Sequence, residues 1–246
     1  MPRTTARIHP TLDEELRLTR AGYGPIAGVD EVGRGAWAGP LVAAAVVLPP
    51  VFTESLAAEM AAELAGVRDS KTCPPAERAL LDGRIRAVAH GVGIGMASSL
   101  EIDRFGLNAA NTLAMHRAVD ALPWTPGHLL LDWVRLPDCP VPQRAFPKGD
   151  SLSLSIAAAS IVAKVARDAL LVGLDGQYGG FDFARHKGYG TAAHRAALRA
   201  HGPTAEHRYR FAPVHAAAVA RWTRPLFPVE SVLSSLPAGA APAAAL

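Results

Sequence analysis

Two adjacent carboxylates stand inside an apolar stretch: Asp30 and Glu31 lie within residues 26–47, IAGVDEVGRGAWAGPLVAAAVV. Removing one carboxylate from water is costly, and two neighbouring carboxylates also repel each other. A divalent cation between them would offset both costs, so the pair points to metal-assisted chemistry. Directly downstream, Gly33-Arg34-Gly35 offers a guanidinium and a backbone that a ligand can approach closely.

Two further carboxylates could join this pair from other elements. Asp132 lies in the short apolar segment 128–134, and Asp150 stands at the expected N-cap of a long alanine-rich helix over residues 151–174. An N-cap aspartate is most often only a cap, and an aspartate at the end of a strand faces solvent about as often as it faces a site. If all four carboxylates met, two divalent ions would be needed to neutralise them, as in two-metal phosphoryl transfer. Oxygen ligands alone favour Mg²⁺ or Mn²⁺ over zinc.

The alternation of apolar segments predicts an α/β fold with a mixed sheet. Strands are expected at residues 26–32, 41–48, 90–98 and 128–134. Helices are expected at residues 12–19, 54–64, 107–122, 151–174, 191–200 and 212–221, and another follows Pro74-Pro75 and runs through residue 88. Because strand side chains alternate in direction, Asp30 and Glu31 converge only if the first strand ends, twists or bulges there.

The composition indicates a globular, intracellular protein. Half of the residues are hydrophobic and 19% are charged, which is unlike a disordered chain. No apolar run approaches the roughly 20 residues that span a bilayer, and Cys73 and Cys139 lack the spacing of a zinc site. We therefore expect a cytoplasmic protein that does not enter the membrane. Net charge is only +3, but residues 185–210 are strongly basic, which fits either a polyanionic partner or an ordinary solvated face equally well.

Seven segments of the chain resemble the bacterial type 2 ribonucleases H, the ribonuclease HII family. They run in the family's order through residues 26–214: GVDEVGRG, AGPLVAAAVVL, RDSK, LLLDW, KGDSLSLSIAAASIVAKVARD, HKGYGTAAH and HRYRFAPV. The chain departs from the family at Ala36-Trp37, where a proline or another small apolar pair is usual. It departs again at Trp133, where glycine is common after the aspartate.

The resemblance implies a ribonuclease H-like fold, with a mixed five-stranded sheet flanked by helices and a C-terminal helical region. It implies cleavage of RNA in RNA–DNA hybrids and on the 5′ side of single ribonucleotides in duplex DNA, leaving 3′-hydroxyl and 5′-phosphate ends. By motif, the family's catalytic metal ligands, for two Mg²⁺ or Mn²⁺ ions, fall on the four carboxylates Asp30, Glu31, Asp132 and Asp150.

The resemblance also implies substrate contacts. The turn that reads the ribose 2′-hydroxyl falls on Gly33, Arg34 and Gly35, and the tyrosine near the sugar at the RNA–DNA junction falls on Tyr189. Lys71 and Lys187 are expected to contact phosphates, although a loop lysine is more often merely solvated. We expect a monomer with an extension (1–24), a catalytic domain (25–185), a helical substrate-binding region (186–227) and a disordered tail (228–246).

Three alternatives make different predictions from the same residues. A ribonuclease HIII-like enzyme typically has glutamate in place of Asp150 and a longer N-terminal domain. An inactive nucleic-acid-binding relative would lack at least one carboxylate, and none is missing. A phosphatase acting on small molecules would need neither the basic segment nor a turn suited to a 2′-hydroxyl.

Overall fold

The computed structural model describes residues 9–222, which form nine α-helices and five β-strands. The strands are β1 (Ile26–Val32), β2 (Leu41–Val47), β3 (Gly91–Ala97), β4 (His128–Asp132) and β5 (Gln143–Phe146). The helices are α1 (Asp13–Arg20), α2 (Glu54–Glu63), α3 (Pro75–Val88), α4 (Ser99–Phe105), α5 (Leu107–Asp120), α6 (Leu154–Gln177), α7 (Phe183–His186), α8 (Ala192–His201) and α9 (Ala212–Trp222). The tail expected at 228–246 lies outside the described residues.

The strands form one mixed five-stranded sheet in the order β3-β2-β1-β4-β5. The pairs β1–β2 and β2–β3 are antiparallel, whereas β1–β4 and β4–β5 are parallel. The expected mixed α/β sheet is thus confirmed, but the sequence pattern missed β5. This edge strand has four residues in a proline-rich segment, and three of them keep some exposure, so it lacks a continuous apolar signal.

Helices cover both faces of the sheet, which explains why every residue of β2 is buried. One core cluster joins β2 to α6, and a second joins β1, β2 and β4 to α5. Small residues allow these layers to approach closely. A Cβ on Gly28 would lie 2.1 Å from the Ser155 carbonyl carbon of α6, and one on Gly95 would lie 2.1 Å from the Ala114 carbonyl oxygen of α5.

The beginning of α6 differs from the sequence prediction. Ser153, not Asp150, is the N-cap, because its side chain accepts a hydrogen bond from the Ile156 N–H. Asp150 lies one turn earlier, in a short 3₁₀ turn spanning Gly149–Ser151. The prediction that Asp150 caps the helix is therefore wrong, and its carboxylate is left available for another role. The short helices α4 and α7 were also missed, since neither is long enough to show helical periodicity.

The first strand carries its two carboxylates without a bulge. Pairing with β2 continues in register through Val32, whereas parallel pairing with β4 is last seen at Val29 opposite Leu131. Asp30 and Glu31 therefore follow the point where β1 separates from its parallel neighbour. Because β4 continues to Asp132 in its pairing with β5 and no longer pairs with β1, a cleft opens between β1 and β4 at this end of the sheet.

Among the helices of residues 9–222, none is both long and apolar enough to cross a membrane.

Candidate active site

Asp30 and Glu31 point to opposite sides of β1, as regular strand geometry requires. Asp30 is 5% exposed; its Oδ1 accepts the Glu31 N–H at 2.7 Å, and its side chain also bonds Ser160 of α6. Glu31 turns toward the open side, where its Oε1 lies 3.8 Å from Arg34 Nη1. The two carboxylates thus flank the end of the strand rather than sharing one direction.

Asp132 and Asp150 approach the same place from β4 and from the 3₁₀ turn. The Gly149 N–H donates to Asp132 Oδ1 at 2.7 Å, which ties the end of β4 to the turn that carries Asp150. Glu31, Asp132 and Asp150 line one cavity of about 560 Å³. Asp30 lies next to them in a buried position, close enough for the carboxylates of Glu31 and Asp132 to repel its own.

Burial raises the pKa of all four carboxyl groups. It is the largest cause for Asp30, where repulsion from Glu31 and Asp132 raises the pKa further, to well above its ordinary value. Burial also raises the pKa of Glu31 and Asp132, and that of Asp150 with added repulsion from Asp69 and Asp132. Above its folded-state pKa, each such group destabilises the fold, because ionisation is easier in the unfolded chain.

Lys71 supplies positive charge to this cluster. Its own desolvation lowers the pKa of the ammonium, but attraction from Asp69, Asp30, Asp150 and Asp132 outweighs that effect and raises it. Asp69 lines the same cavity and accepts the Lys71 N–H at 2.9 Å. Asp69 was not among the predicted site residues. Its place in the RDSK segment, two residues before Lys71, was the available signal.

The carboxylate cluster has the donor chemistry of a site for hard divalent cations. No group of three or more His, Cys, Asp or Glu side chains in residues 9–222 is already arranged to hold a metal ion. The four carboxylates nonetheless provide only oxygen donors, which suit Mg²⁺ or Mn²⁺. Burial is the main cause of their raised pKa values, with repulsion between the carboxylates second, and a bound cation would oppose both effects by favouring the ionised groups. The residues therefore fit such a cation chemically.

A second cavity, of about 890 Å³, adjoins the first. Glu31, Arg34 and Lys71 line both cavities. The larger one is also lined by the other residues predicted to contact substrate: Gly33, Gly35, Tyr189 and Lys187. Every residue predicted for the site therefore lies in or beside one continuous cleft. Lys187 Nζ, however, donates to the Ala184 carbonyl oxygen of its own turn, so that its ammonium is already engaged.

The loop from Gly33 to Pro40 is held from below by Arg208, a residue that sequence reasoning did not single out. The Arg208 side chain is completely buried. Its Nη1 donates to the Gly33 oxygen at 2.7 Å and to the Arg34 oxygen at 3.1 Å, and its Nε donates to the Gly39 oxygen at 3.0 Å. Burial and repulsion from Arg167 lower the pKa of Arg208 to about 9.

Arg167 of α6 holds the rest of the same loop. Its guanidinium donates to the carbonyl oxygens of Pro40, Ala38 and Lys187 at 2.9–3.1 Å. It also lies 5.4 Å from the centre of the Tyr189 ring. Within the described part of the chain, neither Arg167 nor Arg208 pairs with a carboxylate, so both act through backbone oxygens.

These contacts decide which way the loop's amides face. Carbonyl and N–H groups point in opposite directions across a trans peptide. Because the Gly33 and Arg34 carbonyls turn back to Arg208, the N–H groups of Arg34 and Gly35 turn away from it. Neither N–H has an acceptor among residues 9–222, and both residues line the larger cavity. The cleft thus presents two successive free donors, an arrangement that suits an oxygen atom.

Comparison with known proteins agrees with this geometry. Residues 27–214 match the sequence model of the family described as Ribonuclease HII. The chain belongs to the ribonuclease HII family. It is 49% identical over 205 residues to the ribonuclease HII of Herpetosiphon aurantiacus, covering 83% of this chain and 97% of that protein.

Two solved structures share the fold. The ribonuclease H2 of Pyrococcus horikoshii OT3 superposes with a TM-score of 0.67 at 23% identity, covering 80% of this chain and 99% of that one. The Bst ribonuclease HIII in complex with Mn²⁺ has a TM-score of 0.57 at 21% identity, covering 85% and 74%. They support the ribonuclease H-like fold.

Family membership establishes the general activity. Proteins of the ribonuclease HII family are endonucleases that hydrolyse RNA in RNA–DNA hybrids, and ribonucleases H depend on divalent metal ions. The match to ribonuclease HII also decides against the ribonuclease HIII alternative, as the aspartate at position 150 had suggested.

The basic segment, residues 185–210, divides into an exposed part and a buried part. Arg185, Arg195, Arg199 and Arg210 are exposed and remain available to a polyanion. His186, His194, His207 and Arg208 are instead buried. Sequence position alone therefore overstated the charge of this surface, since four of the ten basic side chains in the segment are buried.

The buried histidines form a hydrogen-bonded relay that ends at Tyr189. The Thr204 N–H donates to His207 Nδ1, so the proton of neutral His207 is on Nε2, which donates to His194 Nε2 at 3.0 Å. His194 Nδ1 in turn donates to the backbone carbonyl oxygen of Tyr189 at 3.0 Å. Burial lowers the pKa of His194 to about 4 and that of His207 to about 3, and both rings are therefore neutral near pH 7.

The relay predicts a specific loss of stability in mild acid. A histidine whose folded-state pKa is lowered stabilises the protein above its unfolded value near 6.5, and this contribution falls as pH drops toward 3. We expect His207→Gln to reduce the pH dependence of the unfolding free energy between pH 6 and 5 by about 1 kcal/mol per pH unit. Urea unfolding at several pH values measures this pH dependence of the unfolding free energy.

His215→Gln is the matched control, because His215 is an exposed histidine on α9. The control should keep the wild-type slope. An unchanged slope in His207→Gln would show that the relay does not govern acid stability.

Proposed function

We propose that this chain cleaves the RNA strand of RNA–DNA hybrids and cuts on the 5′ side of single ribonucleotides embedded in duplex DNA. Two divalent ions assist the hydrolysis, which leaves 3′-hydroxyl and 5′-phosphate ends. One observation carries the proposal: the carboxylate cavity and the cavity with two free backbone donors adjoin, with Glu31 and Arg34 lining both. A phosphodiester and the neighbouring sugar can then be bound together.

The four carboxylates are the proposed ligands of the two ions. Bound Mg²⁺ or Mn²⁺ would lower the pKa of a water molecule and stabilise negative charge on the phosphate. The chain's own part is to hold the oxygen donors at the end of the sheet. Asp30 is fixed by the Glu31 N–H and Ser160, and Asp132 is fixed by the Gly149 N–H.

Selection of the ribonucleotide is assigned to the loop Gly33–Gly35. Only the 2′-hydroxyl distinguishes the two sugars locally, and its oxygen can accept a hydrogen bond from a backbone amide. The free N–H groups of Arg34 and Gly35 are the proposed donors. Tyr189 would pack against the sugar beyond the junction. It is held beside this loop because the Trp37 N–H donates to the carbonyl oxygen of the preceding residue, Gly188, at 2.8 Å.

Further assignments extend this proposal. Lys71 would contact the substrate phosphate, as would Lys187 after releasing its local hydrogen bond. Residues 25–185 form the proposed catalytic domain and 186–227 the substrate-binding region of a monomeric, cytoplasmic enzyme. The corresponding cellular role is removal of ribonucleotides from DNA during replication and repair.

The proposal is tested with a DNA duplex that carries one ribonucleotide and a label at each end of that strand. With Mg²⁺ or Mn²⁺ we expect a single cut on the 5′ side of the ribonucleotide, with a 3′-hydroxyl that a polymerase can extend. The same duplex with 2′-deoxy sugar at that position is the control and should stay intact. Absence of a cut with either metal, or equal cutting of both duplexes, would contradict the proposal.

A further inference from the structure

Trp133 occupies an unusual position beside the carboxylates. It directly follows Asp132, lines the 560 Å³ cavity and is 70% exposed. No other ring in residues 9–222 stacks on its indole. When a ligand covers a large apolar side chain at the edge of a binding cleft, removal of its surface from water stabilises the complex.

The backbone at Trp133 is strained. Its φ is +63°, a value that bulky residues rarely adopt, and the Val134 N–H donates to the Asp132 oxygen at 2.7 Å across it. This is a three-residue turn of the strained, positive-φ kind. Glycine would adopt it freely, whereas tryptophan adopts it at a conformational cost. Such strain commonly coincides with a functional contact.

A cation completes the surface. Lys148 lines the same cavity, is exposed, and also has a positive φ, of +59°. Its ammonium makes no ion pair with any described carboxylate. An aromatic face beside a free ammonium is a recurring way to hold a nucleic-acid strand, the ring against the nucleotide and the ammonium at a phosphate.

We propose that Trp133 is a substrate-positioning residue that packs against the sugar of a nucleotide beside the scissile phosphate, with Lys148 at the adjoining phosphate. The inference rests on the proposed function, since it needs a nucleic-acid strand in the cleft. In a paired duplex the bases are stacked inside, so a sugar face is what an indole at the rim can reach. The aromatic contact adds affinity that a glycine at this position would not provide.

The test compares Trp133→Gly with Trp133→Phe, both in the cleavage-deficient Asp30→Asn background. Binding to a duplex with one ribonucleotide is followed by fluorescence anisotropy. Trp133→Gly should bind about 10-fold more weakly, whereas Trp133→Phe should lose no more than about 3-fold. Trp133→Gly should also melt about 2–4 °C higher, because the strain is relieved. Weaker binding with higher stability is not expected from a merely structural role.

Trp124→Gly is the matched control, since Trp124 is an exposed tryptophan outside the cleft. Its affinity should equal that of the background protein. A second readout uses tryptophan emission: saturating duplex should shift it to the blue in the background protein, and less in Trp133→Phe. If neither the background protein nor the wild-type protein in EDTA binds the duplex, the proposed function itself fails. If it binds and Trp133→Gly binds equally well, only the present inference is overturned.

Discussion

Asp30→Asn should abolish cleavage and, in the absence of metal, make the protein more stable. Loss of one ligand removes several kcal/mol of transition-state stabilisation, so we expect the cleavage rate to fall on the order of 10³-fold or more. Stability should rise by roughly 1 kcal/mol or more, because the raised pKa of Asp30 reflects a buried charge that asparagine lacks. The Glu31 N–H keeps its acceptor, since asparagine retains Oδ1.

The measurements are single-turnover cleavage of the one-ribonucleotide duplex and urea unfolding in EDTA. Asp120→Asn serves as the control, because Asp120 is an exposed carboxylate at the end of α5. It should change neither quantity appreciably. An Asp30→Asn protein that cleaves at a rate near wild type would remove Asp30 from the proposed metal ligands.

Gly28→Ala should cause a large loss of stability from a single methyl group. The added Cβ would lie 2.1 Å from the Ser155 carbonyl carbon and 2.4 Å from the Ile156 nitrogen, both backbone atoms of α6. Neither can move without separating α6 from β1, so we expect a loss of about 3 kcal/mol and a melting temperature lower by roughly 10 °C. Cleavage should fall too, since this separation displaces Asp30 relative to Asp150.

Gly173→Ala is its matched control, because Gly173 lies within α6 and its added Cβ would have no neighbour within 4 Å. That variant should gain about 0.5–1 kcal/mol, as alanine is the better helix former. Unfolding of both variants in urea provides the comparison. A Gly28→Ala protein as stable as wild type would mean that the β1–α6 interface can relax more than its backbone contacts suggest.

Local sequence patterns were sufficient for the main elements of the fold. The apolar run of β2 and the long alanine-rich segment of α6 predicted their elements to within a few residues. Strand β5 was missed because four residues among prolines, only one of them buried, have no clear period. Asp150 was misplaced by one turn, since Ser153 competes for the capping position and only the backbone geometry decides between them.

The residues of the site could be predicted from the sequence, but the side chains that hold its loop in position could not. Motifs gave the carboxylates and the Gly33–Gly35 turn, whose convergence depends on sheet topology. The motifs did not indicate that buried Arg208 and Arg167 hold the carbonyls of this loop, because arginine in a basic segment is ordinarily expected at the surface. Nor did they indicate that β1 needs no bulge, which follows from the early end of its pairing with β4.

Direct measurement of Mn²⁺ binding tests the central claim, that these four carboxylates form the divalent-cation site. Electron paramagnetic resonance reports free Mn²⁺ during titration of the protein, without substrate or cleavage. We expect saturable binding by the wild-type protein that strengthens between pH 6 and 8, because the raised carboxyl pKa values make protons compete with the metal. Asp30→Asn should bind at least about 10-fold more weakly. Equal Mn²⁺ affinity in the two proteins would contradict the account.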